Sequence, residues 1–178
     1  NKATRHEYQE AAISNTMLAL HNFSRYNDSL GLRICFDHLA KIYHAQKKYP
    51  QAKWFILQSN GISRAFNDNP GIVESLLELA SIKADIKDYT LAMRDLNEAL
   101  TISSKKHYPQ LESLVQLNYA MLYDHMKNYS KADLAMKRHV AIDDSVKKAE
   151  EAVMLAKQRT TDSLLAAQKK SYLISSRR

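Results

Sequence analysis

The chain repeats itself every 40 residues, and nothing else in the sequence restricts its fold so tightly. Three segments align without a gap: FDHLAKIYHAQKKYPQAKWFI from Phe36, LLELASIKADIKDYTLAMRDL from Leu76 and QLNYAMLYDHMKNYSKADLAM from Gln116. Four columns are identical in all three, namely Ala40/Ala80/Ala120, Lys47/Lys87/Lys127, Tyr49/Tyr89/Tyr129 and Ala52/Ala92/Ala132. Two apolar columns follow suit, Ile42/Ile82/Leu122 and Ile56/Leu96/Met136. A partial fourth copy, Tyr8 to Ala11, lies 41 residues before Tyr49. The sequence is therefore expected to open inside the second half of a unit. A fixed period of this size marks a stacked repeat architecture, in which a single unit cannot bury its own apolar face.

The spacing inside one unit says what the unit is made of. Positions 36, 39, 40 and 43 lie on one helical face, and 49, 52, 55, 56 and 59 repeat that pattern, so each unit holds two helices. Three glycines and three prolines among 178 residues, where about 12% of a typical chain is Gly or Pro, argue against strands joined by tight turns. The recurrent alanines let two helix backbones approach closely, and the tyrosines are expected at the turn between helices. Pro50 suits a first helical turn, and Thr90 and Ser130 are expected to cap the equivalent helices. Pro70 and Pro109 are expected to open first helices, with Asp28 and Ser29 capping the earlier one.

A 40-residue period is also close to that of armadillo and HEAT arrays, at about 40 to 47. The signature itself resembles the tetratricopeptide repeat family. A small residue with an aromatic three positions on is matched by Ala40 with Tyr43 and by Ala120 with Tyr123. The hinge tyrosine matches too, as does a second alanine twelve residues after the first. Two departures stand out: Phe36, Leu76 and Gln116 replace the family's tryptophan, and the period exceeds the usual 34 or so. The resemblance covers roughly residues 5–142 and implies an all-α, right-handed superhelix of helix hairpins. The expected division is a repeat array over 1–144 (a partial unit 1–27, then units near 28–67, 68–107 and 108–144), followed by a basic C-terminal capping helix and tail over 145–178.

The resemblance also implies a concave wall built from first helices. Its groove positions fall on Asp37, His38, Lys41 and His44 in one unit. The next supplies Leu77, Glu78, Ser81 and Asp85, and the last Leu117, Asn118, Met121, Asp124 and His125. Such a mixture suits an extended peptide or a partner helix, so the expected role is a non-enzymatic protein-interaction scaffold of unidentified partner. Family members that clamp the carboxylate tails of chaperones carry Lys, Arg and Asn at these positions. Here the set is acidic or apolar apart from Lys41 and Asn118, so the resemblance does not extend to that subclass.

No catalytic, cofactor-binding or metal-binding constellation is legible. His38 and His44 are six apart rather than the three or four that align two ligands on one helical face. Gly61 and Gly71 belong to no Gly-x-Gly loop, and Asp143-Asp144 reads as helix surface. Cys35 is alone within an apolar stretch, so it reads as a buried inert thiol and the fold needs no disulfide. No run reaches the roughly 20 apolar residues of a bilayer span. The chain reads as soluble, cytoplasmic or exported with a removed leader, and its start at Asn1 is expected from either a removed leader or excision from a longer protein.

The formal charge of +7 raises a nucleic-acid-binding repeat as an alternative. Its distribution weakens that reading: residues 145–178 hold eight basic side chains against three acids, leaving 18 against 16 in the first 144. Residues 145–174 read as one alanine-rich helix, with Val146, Ala149, Val153, Ala156, Thr160 and Ala167 at heptad-like spacing. It is expected to pack back on the last unit as far as about Leu165 and to fray from Gln168 onward. A repeat array followed by a charged helix also resembles the input region of certain bacterial regulators, a second alternative.

Overall fold

A computed structural model describes residues 2–175, which form seven α-helices with no strand among them. They are α1 (Lys2–Arg25), α2 (Ser29–Ala45), α3 (Tyr49–Ala65), α4 (Asn69–Asp85), α5 (Tyr89–Lys105), α6 (Pro109–His125) and α7 (Tyr129–Ser175). Helices α2 to α6 are each 17 residues long, and every connection has three residues. Two such helices with their two connections account for the 40-residue period.

All six connections share one hydrogen-bonding scheme. After α2, Lys48 N–H donates to Tyr43 O (2.9 Å) and Lys47 N–H to His44 O (2.8 Å). This is the Schellman pair, which satisfies carbonyls left open at a helix end. The same pair recurs at Asp28, Asp68, Asp88, Tyr108 and Asn128. The scheme needs a left-handed residue at its centre, and Asn27, Lys47, Asn67, Lys87, His107 and Lys127 all have φ between 52° and 65°. The lysine column of the repeat is thus a backbone requirement met without glycine.

The residue after each left-handed position begins the next helix. Asp28, Asp68, Asp88 and Asn128 accept from the N–H groups of Gly31, Gly71, Leu91 and Lys131 at 3.0–3.3 Å. Lys48 and Tyr108 cannot cap in this way, and there Pro50 and Pro109 remove one of the unpaired donors instead. Capping therefore falls to Asp88 and Asn128, two positions before the expected Thr90 and Ser130, which lie inside the first turn. Tyr49, Tyr89 and Tyr129 are the first residues of their helices rather than turn residues.

Each helix packs on the next. Helices α2 and α4 also touch, as do α4 and α6, whereas no contact joins α1 to α3, α3 to α5 or α5 to α7 among the described residues. A two-layer stack whose even-numbered members touch while the odd-numbered ones stand apart curves toward the even layer. Helix α4 lies at the centre and is apolar on nearly every side. Its Leu79 and Ile82 join the core of α2 and α3, while Leu76, Leu77, Ala80 and Ala84 join that of α5 and α6. Ala40, Ala52, Ala80, Ala92 and Ala120 are all buried. At Gly31, an added Cβ would collide with the Phe23 ring of α1, so glycine lets α1 and α2 approach here without displacing that ring. Cys35 is buried, as expected.

The repeat pattern breaks at α7. Met136 occupies the column of the fully buried Ile56 and Leu96, yet it is 41% exposed, since no further helix among the described residues covers it. Ala132, Ala135, His139, Ile142 and Val146 dock this helix on α6, and every residue from Lys147 to Lys169 is exposed. The second helix of the last hairpin continues through residue 145 without a break. One expectation is corrected here. The capping contact ends at Val146 rather than near Leu165, because α6 is only 17 residues long and offers nothing beyond that level. Of the basic tail, Arg177 and Arg178 and the side chain of Lys170 lie outside the described residues.

Candidate functional site on the concave face

The expected groove residues come from α2, α4 and α6, the three helices of the inner layer. Half-buried His44 reaches across to α4, its Nδ1 lying 2.7 Å from Glu78 Oε1 and its Nε2 3.1 Å from Asp85 Oδ2. The other oxygen of Asp85 is 4.0 Å from His125 Nε2 on α6. Four predicted residues thus form a chain of ionisable groups that ties three helices together. The hydrogen bond to Glu78, reinforced by Asp85, raises the pKa of His44 above its ordinary 6.5 despite partial burial. Asp37 pairs with Arg33 on its own helix at 3.1 Å. Burial raises its pKa, against the opposing pull of Ser59 and Arg33.

Beside this chain, Ser81, Asp85, Asn118, Met121 and His125 line a small depression of about 40 Å³ floored by Ala80, Ala84, Leu96 and Leu122. Met121 is 49% exposed and offers an adaptable apolar contact at its rim. His38, Lys41 and Asp124 are exposed, and Leu117 is half-buried. Leu77 differs: at 8% exposure it belongs to the α4–α6 core, because it faces the neighbouring helix rather than the groove. The face is acidic overall and presents Lys41 as its exposed cation among the expected positions.

Several polar contacts gave no signal in the repeat pattern. Lys83 pairs with Asp95 deep between α4 and α5. Asn60 donates to Ser75 Oγ at 2.7 Å between α3 and α4. Between α6 and α7, Ser113 meets both His139 Nδ1, at 2.7 Å, and Asp143. Serine, histidine and aspartate together invite comparison with a nucleophilic triad, in which the imidazole stands between the other two. Here the serine touches both partners directly, His139 Nε2 is 3.9 Å from Asp143, and Ser113 is 1% exposed. No substrate can reach it, and the cluster acts as a polar peg between two helices. Among the described residues no three or more His, Cys, Asp or Glu side chains are placed so that they could hold a metal ion, and no helix is long and apolar enough to cross a membrane.

Fold and repeat together define an all-α solenoid of stacked helix hairpins, a class that works through extended surfaces. The family model for the tetratricopeptide repeat matches residues 73–106, which is the α4/α5 hairpin. Residues 73–106 thus carry a tetratricopeptide-type repeat within a helical repeat array. Among eleven solved chains that match, the crystal structure of BtubC (BKLC) from P. vanneervenii shares the fold, with a TM-score of 0.68 at 16% identity over 81% of this chain. The chain spans 60% of the length of that protein. No curated protein matches it by sequence. Repeats of this type are generally protein-interaction modules, and their fold is typically non-catalytic.

Proposed function

We propose that the protein is a non-enzymatic interaction scaffold that holds an extended peptide or partner helix against the inner face of α2, α4 and α6. The observation that carries this reading is the His44–Glu78–Asp85–His125 chain, which places polar groups in line across three successive inner helices. Aligned donors and acceptors beside the Met121 rim offer an extended ligand both register and apolar contact. A peptide display selection against the full chain, with affinities read by calorimetry, tests it. Selected peptides are expected to lose at least tenfold in affinity on Asp85→Lys or Met121→Glu and to be indifferent to Lys53→Glu on α3. Peptides equally tolerant of all three substitutions would place binding elsewhere. Substantial affinity for generic DNA or RNA, lost steeply with salt and abolished by the same groove substitutions, would instead favour the nucleic-acid alternative.

A second reading, the input region of a larger signalling protein, draws on α7. A helix that runs exposed from Lys147 to Lys169 after the array has ended has the layout of a connector to a further element.

A further inference from the structure

At the open end of the α2/α3 hairpin, away from the groove residues, lies a cleft of about 270 Å³ walled by Leu30, Ile62 and Phe66. Arg33, Ser63 and Asp68 supply its polar lining. Ser63 is fully buried, and its hydroxyl has no hydrogen-bond partner. Arg33 Nε is buried and unpartnered as well, with Asp68 Oδ2 3.6 Å away, beyond hydrogen-bond reach. Two orphaned polar atoms at one spot are uncommon, since leaving such a group unpaired costs about 1–3 kcal/mol.

The repeat supplies its own control. Forty residues on, the position of Arg33 holds Val73 and that of Ser63 holds Ser103, whose hydroxyl donates to Leu100 O at 3.1 Å. Eighty residues on, the pair is Ser113 and Asp143, and these bond to each other. Only in the first hairpin do these two positions leave polar atoms unsatisfied, and there they line a cleft. The second hairpin also carries a half-buried tyrosine, Tyr108, at the position that Asp68 occupies in the first.

We infer that this cleft is a binding site for a tyrosine side chain of a partner protein. Its volume exceeds the roughly 150 Å³ in which an apolar cavity takes up benzene, and the exposed Leu30 and Phe66 offer edges to a ring. The polar end decides the chemistry. Arg33 is flanked by Asp37 and Asp68, so one cation faces two carboxylates and an anionic head group is repelled. A neutral hydroxyl can accept from Arg33 Nε while donating to Asp68 or Ser63, which satisfies the donor and the acceptor together.

An NMR titration of the full chain with N-acetyl-tyrosinamide, N-acetyl-phenylalaninamide and p-cresol tests the site. Tyrosinamide is expected to give saturable shifts confined to the amides of residues 29–33 and 62–68. It should bind about fivefold tighter than phenylalaninamide, the worth of one net hydrogen bond. Ser63→Ala, a small change in a well-folded hairpin, should reduce that preference while leaving the apolar contact. Shifts that do not saturate, that centre elsewhere, or that are equal for the two amides would overturn the assignment. Binding of p-cresol without tyrosinamide would overturn it too, by pointing to a free phenolic ligand.

Discussion

Lys83 on α4 and Asp95 on α5 form an ion pair with only 6% and 3% of their side chains exposed. Arg94 adds a second, weaker contact to the same carboxylate at 3.4 Å, from a side chain that is 69% exposed. Removing two charges from water is expensive, and the pair holds only because each partner answers the other. Lys83→Met alone is therefore expected to destabilise the array by about 3–5 kcal/mol, since it strands a buried carboxylate. Lys83→Met with Asp95→Leu should recover most of that loss. Urea unfolding of the two variants decides it, and a double variant as unstable as the single would show that the site needs the charges themselves.

The left-handed connections give a second expectation. Lys87 holds φ at 65°, a conformation that costs a non-glycine residue roughly 1–2 kcal/mol. Lys87→Gly should relieve that strain and recover part of it, up to about 1 kcal/mol, after the unfolded chain gains freedom. The midpoint of thermal unfolding should rise. A fall would mean that the lysine side chain contributes more than its backbone strain costs.

Much of this architecture could be read from identity columns alone. Ala40, Ala80 and Ala120 sit where helices meet, and the 40-residue spacing is two helices with two uniform connections. The reading failed wherever a column's meaning depends on its neighbour in space. Met136 matches Ile56 and Leu96 in sequence, yet among the described residues only the earlier two have a following helix to bury them. Leu77 falls on the right helical face for the groove but points into the gap that α6 fills. The polar pairs are illegible for the same reason. Lys83 and Asp95 share no repeat column, and Ser113 becomes a peg only because α7 brings His139 and Asp143 to it. At the groove, the pattern picked out His44, Glu78, Asp85 and His125 separately. That they connect to one another follows from how closely the inner helices stack.

The His44 cluster should make stability depend on pH. The pKa of His44 is raised in the folded state, so its contribution is fully present below the unfolded value near 6.5 and is lost as pH rises through the raised value. The groups facing it are Glu78 and Asp85, with His125 beyond Asp85. The stability difference between the native chain and His44→Gln should therefore be largest near pH 5.5 and shrink toward pH 8.5. Urea midpoints across that range provide the measurement. A difference that stays constant, or grows with pH, would mean that the imidazolium is not what binds α2 to α4.

The last expectation concerns where the cooperative unit ends. Docking of α7 on α6 stops at Val146, and the next 23 residues are exposed on every side, including Val153, Leu155 and Leu164. An isolated helix gains little from propensity alone, and most helical stability in proteins comes from packing an apolar face. Ending the chain after Lys148 should therefore leave the unfolding free energy of the array within about 0.5 kcal/mol of its original value. It should also remove helical signal by circular dichroism in proportion to the residues lost. Ending it after Asn128 instead removes Ala135, His139 and Ile142 from α6 and should unfold the last hairpin. If the longer truncation product were as destabilised as the shorter one, the projecting half of α7 would have to be stabilising the array through contacts of its own.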